Sequence, residues 1–100
     1  LYILEVVKSM PERKTRMINL GDAFIALPGG PGTLEEISEI ISLRRLNRVD
    51  KPCIVYNIDG FYEPLRNLIS EMVAAGFLPS EDSSKLVFAE SLVDIIKALS

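Results

Sequence analysis

The residues with the clearest chemical use form one run, Leu27-Pro28-Gly29-Gly30-Pro31-Gly32-Thr33-Leu34-Glu35-Glu36. Gly29, Gly30 and Gly32 let a backbone approach a ligand where a Cβ would collide. Thr33 offers a hydroxyl that caps a helix or meets a phosphate. A strand before the glycines and a helix after them point free backbone N–H groups at an anion. The run therefore predicts a phosphate site, that of a nucleotide. It lacks the G-x-G-x-x-G spacing of dinucleotide folds and the lysine of a P-loop, which argues against a nicotinamide dehydrogenase or an ordinary NTPase. A second reading also fits the residues. Thr33-Leu34-Glu35-Glu36 has the form of a capping box, with Glu36 reaching back to the cap. Pro-Gly-Gly-Pro-Gly then serves only as a tight strand-to-helix connection.

The flanking residues supply the elements that such a site needs. Ala23–Leu27 is apolar throughout and reads as a buried parallel strand. Ile37, Ile40, Ile41 and Leu43 have helical spacing, in a helix running to about Asn47. Arg44, Arg45 and Arg48 at its end suit the helix dipole and read as a solvated terminus. Upstream, Leu1–Val7 is β-branched and aromatic and reads as another strand. Met10-Pro11-Glu12-Arg13-Lys14 follows it, with Pro11 suited to a first helical turn, in a helix expected to reach Leu20 and stop at Gly21. Arg13 and Lys14 in a first turn oppose the dipole by a few tenths of a kcal/mol each, which hints at a compensating anion. Both segments would stand at C-terminal strand ends, the edge where open α/β sheets bind ligands.

The remainder alternates in the same way. Pro52–Tyr56 reads as a strand, Asn57–Gly60 as a turn, Tyr62–Ala75 as a helix stopped by Gly76, and Ser80–Ser84 as a polar loop. Leu86–Ala89 reads as a short strand and Ser91–Leu99 as a last helix. Alternation of this kind predicts an α/β fold, a Rossmann-like parallel sheet flanked by helices. The 100 residues are read as one such domain, and the strand at Leu1 suggests further strands upstream, making this the C-terminal part of a larger domain.

Composition narrows the functional classes. The chain is 48% hydrophobic and 25% charged, as a globular domain is, and its net charge of −3 gives no reason to expect nucleic acid or an anionic membrane as partner. No apolar run approaches the roughly 18 residues of a membrane span, and no signal peptide is visible. The single cysteine, Cys53, lies in an apolar run and reads as a core residue, consistent with a reducing, cytoplasmic setting. With one cysteine and no histidine, a metal site is not expected.

Met10-Pro11-Glu12-Arg13-Lys14 and Pro28-Gly29-Gly30-Pro31-Gly32-Thr33-Leu34-Glu35-Glu36 together resemble the Lonely Guy family. These are cytokinin-activating nucleoside 5′-monophosphate phosphoribohydrolases, often mislabelled lysine decarboxylases, with the pattern P-G-G-x-G-T-x-x-E and an upstream M-x-x-R-K segment. Asp50-Lys51-Pro52 and Asn57–Tyr62 resemble the family's continuation. The resemblance implies a Rossmann-like fold, a homodimer, and a reaction without metal or organic cofactor. That reaction hydrolyses the N-glycosidic bond of AMP or a cytokinin riboside monophosphate to free base and ribose 5-phosphate. It implies Arg13 and Glu36 as the catalytic pair, with nucleotide contacts from Lys14, Gly29, Gly30, Gly32, Thr33, Glu35 and Ser42. Ser42 stands where relatives commonly have threonine, and Pro31 where they often have tyrosine. A dimer would also cover the apolar stripe of Ile37, Ile40 and Ile41. A non-catalytic nucleotide carrier, similar to molybdenum-cofactor carrier proteins, is the competing class. It shares the glycine loop but needs neither Arg13 nor Glu36. A pyridoxal decarboxylase would need a Schiff-base lysine with a pyridinium partner, and no such constellation is identifiable.

Overall fold

The computed structural model describes residues 17–45, 51–83 and 86–100. The expected strand Leu1–Val7, the start of the helix at Pro11, Arg13 and Lys14, and Arg48 lie outside the described residues, as do the side chains of Arg44 and Arg45.

Four short strands form one sheet in the order β1 (Met17–Asn19), β2 (Phe24–Ala26), β3 (Cys53–Tyr56), β4 (Leu86–Ala89). β2, β3 and β4 are parallel, whereas β1 runs antiparallel to β2, so the sheet is mixed rather than wholly parallel. β1 is also a correction, since Met17–Leu20 was expected to end a helix. Gly21 and Asp22 make a two-residue hairpin loop. Gly21 has φ of 89° and donates its N–H to Asn19 Oδ1 at 2.9 Å, and Leu20 N–H donates to the Ala23 carbonyl at 2.9 Å. A glycine with positive φ at the first loop position is what a tight hairpin turn asks for. Pairing also places Ile18 beside Ile25, a burial that a surface helix would not give it.

Strand periodicity sorts the core onto two faces. Ile18, Ile25, Ile54 and Val87 form one row across the sheet. They pack with Ala23, Leu27, Ala89 and Ile95, the last from α4 (Leu92–Leu99). Alternate residues Phe24, Ala26, Cys53, Val55 and Leu86 face α1 (Pro31–Arg45) and α2 (Glu63–Ala74) through Ile37, Ile40, Tyr62 and Ile69. Helices therefore cover both faces, and α1 and α2, which join successive parallel strands, share one of them. Ile37 and Ile40 are buried inside the chain and Ile41 is partly buried, so most of the stripe expected to need a dimer partner is covered. The exposed apolar residues near it are Leu34, Leu68 and Phe77.

Local chemistry sets the helix ends. Pro64 lies in the first turn of α2, and Gly76 with φ of 83° follows its end. Ser91 caps α4 by accepting from the Asp94 N–H at 3.1 Å. Ser80–Ser83, expected as loop, closes one helical turn (α3), with Asp82 N–H donating to the Pro79 carbonyl.

Candidate active site

The glycine turn leaves the C-terminal end of β2, comes to the surface and enters α1: Ala26, Leu27 and Thr33 are buried, and Gly30, Pro31 and Gly32 are exposed between them. The helix begins earlier than the capping box required. The Gly30 carbonyl accepts from Thr33 N–H at 3.1 Å and from Leu34 N–H at 3.2 Å, so Gly30 occupies the cap and Pro31 the first helical position. Thr33 is thus inside the first turn and Glu36 a full turn further on. Neither stands where a Thr–Glu capping box must, and the structural explanation of this pair is removed.

The glycines are not demanded by conformation either. A Cβ built on Gly30 or on Gly32 meets nothing within 4 Å, and neither has a positive φ. Their smallness has no use in folding this turn. It leaves open the approach to a helix N-terminus whose first turn carries no acidic residue. The Thr33 side chain is 96% buried (4% exposed), and its hydroxyl has no hydrogen-bond partner among the described residues. An unpaired buried hydroxyl costs about 1–3 kcal/mol, which a ligand oxygen would recover. Exposed amides, bare glycines and an unspent hydroxyl together make an anion cradle.

The other expected residues sit around this cradle at stated positions along α1. Glu36 lies one turn beyond Thr33 on the same face. It is half-buried in a cavity of about 170 Å³ with Met17, Phe24, Glu39, Ile40 and Leu43, between α1 and the β1–β2 hairpin. Glu35 is exposed. Ser42 is not brought to the turn: it is eleven residues, about 16 Å, along the helix from Pro31. It lines a separate cavity of about 340 Å³ between α1 and α2, among Leu34, Ile41, Leu68, Met72 and Phe77. Arg13 and Lys14 lie outside the described residues.

Two residues near the turn escaped sequence reasoning as individuals. Asn57, 2% exposed, follows β3 and donates its backbone N–H to the Ala89 carbonyl at 2.7 Å. Its Oδ1 accepts from Tyr62 N–H at 2.7 Å and its Nδ2 donates to Glu63 Oε1 at 2.9 Å. Tyr62, 6% exposed, sends its hydroxyl back to the Leu27 carbonyl at 2.6 Å, at the root of the glycine turn. Asp59 with φ of 53° and Gly60 with φ of 73° fold the chain between them. The signals in the sequence are the turn composition Asn-Ile-Asp-Gly and the family resemblance of Asn57–Tyr62, and neither shows the Tyr62–Leu27 contact, which spans 35 residues. Burial, and secondarily the charge of Cys53, pushes the Tyr62 phenol up to about 12, and burial pushes the Cys53 thiol up to about 12. Both are therefore neutral at physiological pH, which suits Tyr62 as a donor and makes Cys53 an inert core residue.

Among the described residues no group of histidine, cysteine, aspartate and glutamate is placed to hold a metal ion. Lys51 precedes β3, at the sheet edge opposite the glycine turn, where it donates to Asn19 Oδ1 at 3.3 Å and lies 4.9 Å from the Phe24 ring centroid. Lys97 is exposed in the last turn of α4. Neither described lysine adjoins the turn, so a Schiff-base site gains nothing from this geometry.

A strand, a glycine turn and a helix N-terminus at the carboxyl edge of a helix-covered sheet define a Rossmann-like α/β protein with an anion cradle. The chain belongs to the family described as possible lysine decarboxylase, whose model matches residues 2–99. It is similar to three curated proteins that share a different name, cytokinin riboside 5′-monophosphate phosphoribohydrolase. With that of Rhodococcoides fascians it is 38% identical over 96 residues, covering 96% of this chain and 48% of the relative. With one from Arabidopsis thaliana it is also 38% identical over 96 residues, covering 96% and 45%. With one from Oryza sativa subsp. japonica it is 43% identical over 86 residues, covering 86% and 35%. The chain thus spans less than half the length of these relatives.

Proposed function

We propose that the protein is a nucleoside 5′-monophosphate phosphoribohydrolase acting on AMP or on cytokinin riboside monophosphates. The observation that carries this reading is the cradle itself: Gly30 as helix cap, open space before Gly30 and Gly32, and the buried Thr33 hydroxyl, which has no partner among the described residues. The names of the relatives supply the chemistry that such a cradle would serve, and none of them is a carrier.

The 5′-phosphate sits on the amides that open α1, with Gly29, Gly30, Gly32 and Thr33 around it and Lys14 as a counter-charge. Binding energy from this remote group holds the ribose for reaction. The C1′–N bond breaks through an oxocarbenium-like centre, a water oxygen forms the new bond to C1′, and the departing base takes a proton. Glu36, one turn deeper than the phosphate amides, stabilises that centre or orients the water. Arg13 assists the leaving base or neutralises phosphate charge. Glu35 completes the nucleotide contacts. Ser42 is the one assigned contact that the helix separates from the turn, and it would have to meet an extended part of the ligand. No metal or organic cofactor is required by this scheme. Residues 1–100 are taken as a single Rossmann-like unit, and the protein as a cytoplasmic homodimer with Leu34, Leu68 and Phe77 as the apolar surface to be covered.

The test is base release by the full-length protein from AMP, from an N6-prenylated AMP and from adenosine. Free base and ribose 5-phosphate in equal amounts from the monophosphates, with adenosine left intact, are expected. Equal cleavage of adenosine would remove the phosphate from the account, and carbon dioxide release from lysine would replace it with the decarboxylase activity.

A further inference from the structure

Among the described residues the peptide that leads into the glycine turn has no strand partner. The β2–β3 pairing ends at Ala26 opposite Val55, and the next residue but one, Pro28, has no N–H. The Leu27 carbonyl between them is held by the hydroxyl of Tyr62, the residue before α2, at 2.6 Å. Tyr62 is itself fixed. Its backbone N–H donates to Asn57 Oδ1, and Asn57 N–H donates to the Ala89 carbonyl. A line of hydrogen bonds therefore crosses the C-terminal ends of the three parallel strands, from Ala89 through Asn57 and Tyr62, and stops at the root of the anion cradle. The Tyr62 ring packs edge-to-face on Phe61 with centroids 4.9 Å apart, which holds the hydroxyl in place against the Leu27 carbonyl.

We propose that Tyr62 is a positioning residue of the phosphate site: its hydroxyl fixes the Leu27–Pro28 peptide and so aims the Gly29 and Gly30 N–H groups that follow it. This rests on reading the glycine turn as the phosphate cradle. Burial keeps the phenol protonated, so the clamp persists across the physiological pH range. A turn released at its root loses aim at the phosphate first, because phosphate is held by several N–H groups whose directions depend on one peptide plane. The base and ribose do not share that dependence.

The experiment compares wild-type and Tyr62→Phe full-length protein for binding of AMP, ribose 5-phosphate and adenosine, with a melting curve for each protein. Phenylalanine keeps the ring and removes only the oxygen. The expected result is a loss of about tenfold in affinity for AMP and ribose 5-phosphate, the size of one lost buried hydrogen bond, with adenosine binding unchanged. In turnover, KM for AMP rises by the same factor while kcat at saturation stays within about twofold. Unchanged affinity for all three ligands overturns the clamp and leaves the cradle standing. An equal loss for all three, or a variant that does not fold, assigns Tyr62 to the core and also overturns it. Wild-type protein that binds adenosine as tightly as AMP overturns the cradle itself.

Discussion

Substituting Gly32 by alanine separates a glycine kept for folding from one kept for a ligand. Gly32 is the second residue of α1, its φ is not positive, and an added Cβ meets nothing within 4 Å. By helix propensity alone, Gly32→Ala stabilises the fold by about 0.5–1 kcal/mol. For a protein about twice this length, that is a rise in melting temperature of about 1–4 °C. The same methyl group stands in front of the amides that receive the phosphate. Forcing a methyl into a filled site costs about 1–3 kcal/mol, or about 5- to 150-fold in affinity. Stability and binding are therefore expected to move in opposite directions. Differential scanning fluorimetry and calorimetric titration with AMP read the two effects on one sample. A variant that melts higher and binds AMP as well as wild type would refute the reasoning, and the glycines would revert to being turn residues.

Three further outcomes follow from the packing and the surface. Ile25→Ala empties a fully buried position in the central row of the sheet and is expected to lower unfolding free energy by about 2–5 kcal/mol, seen as a lower denaturant midpoint with unchanged slope. Burial pushes the Cys53 thiol up from its ordinary 9.0 to about 12 in the folded chain, so its neutral form favours folding fully below pH 9 and loses that contribution as pH rises towards 12. The stability difference between wild type and Cys53→Ala should accordingly shrink between pH 9 and 11, and a constant difference would contradict it. Light scattering on the full-length protein is expected to give twice the subunit mass at micromolar concentration, and one subunit mass would exclude the homodimer.

What the sequence disclosed depended on how local the determining forces were. β3, β4, α2 and α4 were legible because an apolar run, a proline or serine start and a glycine stop lie within a dozen residues of one another. The glycine turn was legible as a motif, yet its cap was misplaced by three residues, since Pro31 at the first helical position outweighs Thr33 as a cap. Met17–Asn19 was taken as helix because Gly21 reads equally as a helix stop and as a hairpin residue. Pairing of Ile18 with Ile25 decided between them, and pairing is not a local property. The Asn57–Tyr62–Leu27 line was invisible for the same reason: its last bond closes a loop of 35 residues. Ser42 lies on the same helix as the cradle, and only the packing of α1 against α2 shows that it lines the cavity between them.

The account turns on Glu36 acting on substrate rather than on the helix. The Gly30 cap leaves Glu36 outside the first turn of α1, and the proposed mechanism gives it the sugar of a nucleotide whose phosphate would sit on the amides. Base release from AMP by full-length Glu36→Gln, beside wild type, is the most direct measurement. Gln keeps the shape and removes the charge that an oxocarbenium-like centre requires. The account predicts a folded variant that still binds AMP and has lost about 10²- to 10⁴-fold in turnover; near-normal base release by that variant would contradict it.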